Sequence, residues 1–340
     1  MSWFGDAWSG VKDLWQQEGE EQAFGFLGAT QVPGGVGPAP IPPNAAYVTV
    51  KLASLRLVHV RKGLTRFCPV VHSHLSVSHR RGSDAEFRCV TTPNGLMDLD
   101  AAHLDRVVQA NLPLLGPVPY RAGDIAAEIG LFSLKTADLL QPYLTLLGKV
   151  SATAGVSLVD KALPFAALLS EGLQLLTGGA AAQMIEVGYN GGLPAQSGWF
   201  VLARAPKGQA QIGTVRVDPT DHRLVLAGGG APPWPYLLLR IEASDRLDSW
   251  TDIPDLFARY DALQKAVVEG KEADVKETLA VFRRFALFCP DLLGAHASKL
   301  VKEVEKQVDE AMGEGPAPMT LTSAPLRQRR MLAAAIDPFA

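Results

Sequence analysis

Apolar and polar residues alternate with a period of two along two separate parts of the chain, one before residue 133 and one after residue 184. The first part predicts strands around Val48–Leu52, Phe67–Val77 and Glu86–Thr92, and a further strand over 118–131. The second part predicts strands at 184–188, 198–205, 213–217, 223–226 and 236–243, with a turn at Asn190–Gly192. Consecutive strands joined by short turns predict a mostly antiparallel sheet or sandwich.

The period changes to 3.6 in three places. Residues 134–179 predict a helical hairpin, and apolar residues nearly encircle its second helix. Residues 252–312 predict three helices in succession, separated near Gly270 and Pro290. A shorter helix is predicted from Asp98 or Asp100 through Leu112. Together these patterns predict an α+β protein with an inserted helical hairpin and a C-terminal three-helix segment.

The N-terminal residues 2–24 predict an amphipathic helix. Its apolar side carries Trp3, Phe4, Trp8, Val11 and Trp15. A short helix is marginal in water, so this apolar side must dock either on the protein's own domain or on a partner. Tryptophan is favoured at the centre of interfaces, and these five residues are therefore the predicted partner-binding site. The Pro/Gly-rich residues 32–44 predict a linker. If the helix is a detachable docking element, removal of residues 1–31 is expected to leave the rest folded, whereas a helix packed on its own sheet predicts a lower melting temperature without a change in assembly.

These patterns divide the chain into four parts. Residues 1–45 contain the amphipathic helix and linker, and residues 46–245 form a β-rich domain with the helical insertion at about 134–179. Residues 246–313 form a helical segment, and residues 314–340 form a basic and apolar tail.

Composition excludes several functional classes. A net charge of −3 supplies no general attraction for nucleic acid, and no aromatic platform lies between the few basic clusters. Three widely spaced cysteines form neither a zinc pattern nor a disulfide framework, which favours a reducing cytoplasm. Abundant glycine, proline and alanine are typical of a bacterial protein.

Catalytic motifs are absent from the sequence. It contains no G-x-S-x-G, no Walker A loop, no G-x-G-x-x-G and no H-E-x-x-H. His72 and His74 are the best metal candidates, because two histidines at i and i+2 on a strand project from one face. Neither a third ligand nor a carboxylate at fixed spacing accompanies them, and no cofactor is expected.

Membrane insertion by the hairpin at 134–179 is a less favoured alternative. A span needs about 20 predominantly apolar residues. Asp160, Lys161 and Glu171 interrupt the second helix, and each would cost about 2.5–3.5 kcal/mol near the bilayer centre.

The sequence therefore favours a non-enzymatic interaction or scaffold component of a larger assembly, with a protein partner or a second copy of itself. The alternatives are a membrane-acting protein that uses the hairpin at 134–179 and a metal-dependent hydrolase that uses His72 and His74.

Overall fold

The computed structural model describes residues 19–58, 61–62, 65–80, 83–90, 108–135, 185–209, 211–247 and 250–313. Its strands are β1 Glu20–Phe26, β2 Ala39–Pro40, β3 Tyr47–Arg56, β4 Arg61–Lys62, β5 Thr65–Arg80, β6 Ser83–Val90, β7 Val108–Pro119, β8 Ile125–Lys135, β9 Ile185–Leu193, β10 Gln196–Pro206, β11 Val215–Val217, β12 Leu224–Leu226 and β13 Tyr236–Ser244. The helices that follow are α1 Pro254–Glu269, α2 Glu272–Phe288 and α3 Gly294–Gly313. The predicted α+β class, with antiparallel sheets and a C-terminal helical segment, is confirmed.

The first sheet is built around two strands that are buried on both faces. Its order is β1-β10-β13-β3-β7. The short strand β2 pairs with residues 196–197 of β10, outside the stretch that pairs with β1. Alternate residues of β10 point to opposite faces, yet both Phe200 and Val201 are buried, as are Leu237 and Leu238 on β13. Strands covered on both sides show continuous apolar runs rather than alternation, which accounts for the sequences WFVLA and YLLL.

Separate segments cover one face of this sheet. The cover comes from the chain around Leu27 and Val32, from β11 and β12, and from Trp234. It packs on Trp199, Val201, Ala203, Tyr236 and Leu238.

The second sheet has the order β4-β5-β8-β9, and β6 also pairs with β5. Odd-numbered residues of β5 form its buried face, including Val71, Leu75 and Val77. Val71 and Leu75 lie beside Leu131 and Ala127 of β8, which are also buried. The opposite face of β5 carries His72, His74, Ser76 and Ser78.

Residues 20–24 were predicted as the end of the N-terminal helix, and this prediction is wrong. Glu20–Phe26 pairs antiparallel with β10, and the Leu27 N–H donates to the Trp199 carbonyl at 2.9 Å. Without this strand β10 would present an unpaired edge, so pairing outweighs the helical preference of EEQAF.

The Pro/Gly-rich segment after β1 packs on the same sheet. Val32 and Ile41 are buried, and the Ile41 N–H donates to the Ala195 carbonyl at 3.0 Å. Removal of residues 1–31 would therefore delete β1 as well, and a truncation aimed at Trp3–Trp15 has to end before Glu20.

The helix predicted through Leu112 is also corrected, because Val108–Pro119 is strand β7. Pro113 and Pro117 cannot donate the hydrogen bonds of a continuing helix. Gly116 fits here because its φ is +83° and a Cβ would lie 2.1 Å from the Val48 carbonyl oxygen.

Contacts divide the chain into two compact units. The first takes in the described residues of 1–43 and 48–243, and the second those of 44–47 and 244–340. Within the predicted hairpin at 134–179 only residues 134 and 135 are described, at the end of β8. The rest of the hairpin and the tail at 314–340 lie outside the described residues.

Tyr236 links the central strand β13 to its cover. Its hydroxyl oxygen accepts the Leu224 N–H at 2.9 Å. Burial raises the pKa of Tyr236 to about 12, although the bond from Leu224 opposes the shift. Folding therefore favours the neutral phenol.

Tyr236→Phe tests this contact through the pH dependence of stability. Below pH 10 the phenol is neutral in both states, so its contribution is fully present. Between pH 10 and about 12 only the unfolded state ionises, so stability falls by up to about 1.4 kcal/mol per pH unit. Urea unfolding should show that the free energy of unfolding falls between pH 9 and pH 11 by about 1 kcal/mol less in the variant than in the native protein. Equal losses in both proteins would contradict the raised pKa.

Candidate functional site

The predicted metal candidates lie in the middle of strand β5. His72 is buried and His74 is partly exposed. The register places Glu128 of β8 beside His74, and Gly130 beside His72. The two histidines therefore share one face, as predicted, but they have different surroundings.

His74 lies between two carboxylates from neighbouring strands. Its Nε2 is 3.4 Å from Glu86 Oε2, and its Nδ1 is 3.8 Å from Glu128 Oε2. An imidazolium ion donates from both nitrogens, so in that form His74 joins β6, β5 and β8 electrostatically. Among the described residues no group of three or more His, Cys, Asp or Glu is placed to hold a metal ion. Metal binding by His72 and His74 stays a prediction.

Glu86 and Glu128 could not be identified from the sequence as neighbours of His74, because neither lies at a characteristic distance from it along the chain. They become neighbours only through the registers of β5 with β6 and with β8. An alternating pattern specifies which residues share a face, but it does not specify which strands pair.

A second polar cluster joins the N-terminal strand to the interior of the first unit. Arg204 Nε is 2.8 Å from Glu20 Oε2, and its Nη2 donates to Glu186 Oε2 at 3.1 Å. Ser133 donates to the other oxygen of Glu186 at 2.8 Å. The side chains of Arg204 and Glu186 are only 16% and 12% exposed, so water compensates poorly for the loss of either charge.

Three packed aromatic rings lie in the interior of the helical unit. Trp250 and Tyr260 meet edge to face with ring centroids 5.0 Å apart, and Phe282 lies 5.9 Å from Tyr260. Burial is the main reason why the pKa of Tyr260 is raised. These rings fix α1 and α2, which carry the surface described below.

Tyr47, the first residue of β3, belongs to the helical unit and contacts the start of α3. Its hydroxyl oxygen accepts the Leu293 N–H at 3.1 Å and lies 3.1 Å from His296 Nδ1. Burial lowers the pKa of His296, while Asp245 opposes this shift and Lys299 adds to it. A neutral His296 can accept the Tyr47 proton at Nδ1, which satisfies both groups.

Exposed apolar side chains concentrate on α1 and α2. Seven large apolar residues of the described chain are exposed, and five of them belong to these two helices: Phe257, Val268, Val281, Leu287 and Phe288. Phe288 is 85% exposed. Single exposed apolar residues are normal, whereas a concentration of them marks an interaction surface. We therefore take this exposed apolar set as the candidate functional site.

The predicted partner-binding residues Trp3, Phe4, Trp8, Val11 and Trp15 lie outside the described residues, so the interface assigned to them stays a prediction. In the part of the chain that the structure describes, no helix is long and apolar enough to cross a membrane.

A comparison of the chain with protein-family models, curated proteins and solved structures finds no match.

Arg204→Met tests the buried cluster. The substitution leaves Glu20 and Glu186 without their shared cation, and we expect a loss of about 2–4 kcal/mol in the free energy of unfolding. The matched control is Arg223→Met, because Arg223 pairs with Asp221 at 3.1 Å where the two side chains are 45% and 37% exposed. The control should lose at most about 1 kcal/mol. Similar losses in urea unfolding would show that the Arg204 cluster contributes no more than a surface pair.

Proposed function

We propose that the protein is a non-enzymatic interaction component of a larger assembly and that its helical unit supplies one docking surface. The observation that supports this most strongly is the exposed apolar set on α1 and α2. The same two helices also contribute residues to the buried core of the helical unit, and among the described residues none of the five exposed side chains belongs to that core.

Phe288 has the most apolar surface to gain from contact with a partner. Covering a side chain of this size contributes about 1.5–3 kcal/mol when apolar surface leaves water. Phe257 and Leu287 are 45% and 43% exposed and would add smaller amounts. A partner that covers several of these residues would gain enough to offset part of the cost of association.

The proposed compartment is the bacterial cytoplasm. The Cys289 side chain is buried in the interior of the helical unit. A buried thiol behaves as a small apolar side chain, and the support for a reducing compartment is the scarcity and wide spacing of cysteines in the sequence.

Site-specific crosslinking tests the docking surface. A photoreactive amino acid is placed at Phe257 or Phe288 in the full chain, and at Lys265 or Lys276 as matched exposed controls on the same helices. Illumination in cells should give discrete adducts from the two phenylalanine positions and none from the lysine positions. Mass spectrometry then identifies the attached protein. Equal labelling at all four positions, or none at all, would refute docking through these helices.

The hydrolase alternative predicts a different result. Purified protein would then contain stoichiometric zinc or iron, and the double substitution of His72 and His74 by alanine would release it. That finding would overturn the non-enzymatic proposal whatever the crosslinking shows. We expect metal content to be substoichiometric and unchanged by the double substitution.

A further inference from the structure

Helix α2 has two distinct faces. Val275, Phe282 and Ala286 point into the interior of the helical unit. The opposite side, here called the outer face, consists of Ala273, Glu277, Ala280, Val281, Arg284 and Phe288, all of them exposed. At about 100° per residue the outer face lies roughly opposite the interior residues. Val281 and Phe288 are therefore not the margin of the buried side but part of a second surface.

In the part of the chain that the structure describes, the two charges on the outer face have no ion-pair partner, whereas charges beside it do. Lys276 bonds to Glu272 at 2.5 Å, and Arg283 lies 3.4 Å from Glu305 on α3. Within the described residues neither Glu277 nor Arg284 is in an ion pair. Arg284 donates only from Nε, to the Ala280 carbonyl at 3.2 Å.

The order of residues on the outer face is self-complementary when the helix is reversed. Glu277 and Arg284 lie equally far from a midpoint between Ala280 and Val281. Ala273 and Phe288 have the same midpoint. A two-fold axis there would set each Glu against an Arg of the other helix, and each Phe against an Ala. A two-fold contact requires such matching of one patch with itself.

We propose that a second copy of this chain covers the outer face, with the two α2 helices antiparallel about this two-fold axis. This inference rests on the proposed function, since it names the partner for part of the docking surface. Opposite charges at Glu277 and Arg284 select the antiparallel register, and the small side chains of Ala273 and Ala280 leave room for Phe288 and Val281.

The contact is limited in size, which sets the expected affinity. The 17 residues of α2 extend about 25 Å. One helix face of this length buries less than the roughly 800 Å² per partner of a standard interface. We therefore expect a dimer that forms with a Kd in the micromolar range.

The experiment is sedimentation equilibrium of the full chain and of charge variants from about 1 to 500 μM, a range chosen for weak interfaces. Glu277→Arg and Arg284→Glu each set like charges across the axis twice, so each variant alone should dimerise at least about tenfold more weakly. Phe288→Ala should weaken the dimer as well. Lys276→Glu is the matched control, because position 276 is exposed on the same helix but lies about 100° from the Glu277 direction. It should leave the dimer unchanged.

Mixing the two single variants gives the decisive result. In the mixed pair the introduced arginine faces the introduced glutamate, and the native Arg284 of one chain faces the native Glu277 of the other. Equimolar Glu277→Arg and Arg284→Glu should therefore form a heterodimer of about the native affinity, although each is weak alone. Far-UV circular dichroism confirms that both variants are folded.

A full chain that remains monomeric at the highest concentration would overturn this proposal. A dimer that the mixture fails to restore would overturn it too. Either result leaves the docking surface itself standing if crosslinks from Phe257 and Phe288 still reach a different protein. Loss of those crosslinks together with a monomeric chain would refute both proposals.

Discussion

Burial of strand β10 on both faces is the constraint on which the first unit depends. Phe200 and Leu202 lie on one side of this strand and Trp199 and Val201 on the other, and all four are buried. A strand of this kind cannot lie at an open edge, nor can either face meet water without losing several kcal/mol of apolar burial. The segment at 20–41 meets both requirements, because β1 and β2 pair with β10 while Leu27 and Val32 cover one face. The cluster of Glu20, Arg204 and Glu186 then fixes β1 in register.

Much of this fold can be predicted from the sequence because periodicity reports burial. The strands after residue 184 and the three C-terminal helices were predicted close to most of their observed bounds. Turn residues flank the continuous apolar runs of β10 and β13, and each of the three helices has one buried and one exposed side. The errors have a shared cause. Residues 20–24 follow a helical pattern, yet β10 needs a pairing partner. Asn190–Gly192 has the composition of a turn, yet it is part of β9, where Tyr189 and Asp124 occupy the space that side chains at the two glycines would need. Tertiary pairing decided both cases.

The candidate sites, too, could be predicted only in part. The outer face of α2 can be found in the sequence, because Val281 and Phe288 lie seven residues apart on the side away from Phe282. Their exposure could not be predicted, since a second apolar side is equally consistent with burial in a larger core. Glu86 and Glu128 beside His74 were beyond prediction for a different reason, because strand registers bring them together.

Strand β10 and the N-terminal segment that pairs with it should unfold as one cooperative unit, and native-state hydrogen exchange tests this most directly. We expect backbone amides of β1 and β10 that bond across this pair to exchange with the same free energy of opening, close to that of global unfolding. Exchange of the β1 amides at the rate of a free chain, while β10 stays protected, would contradict it.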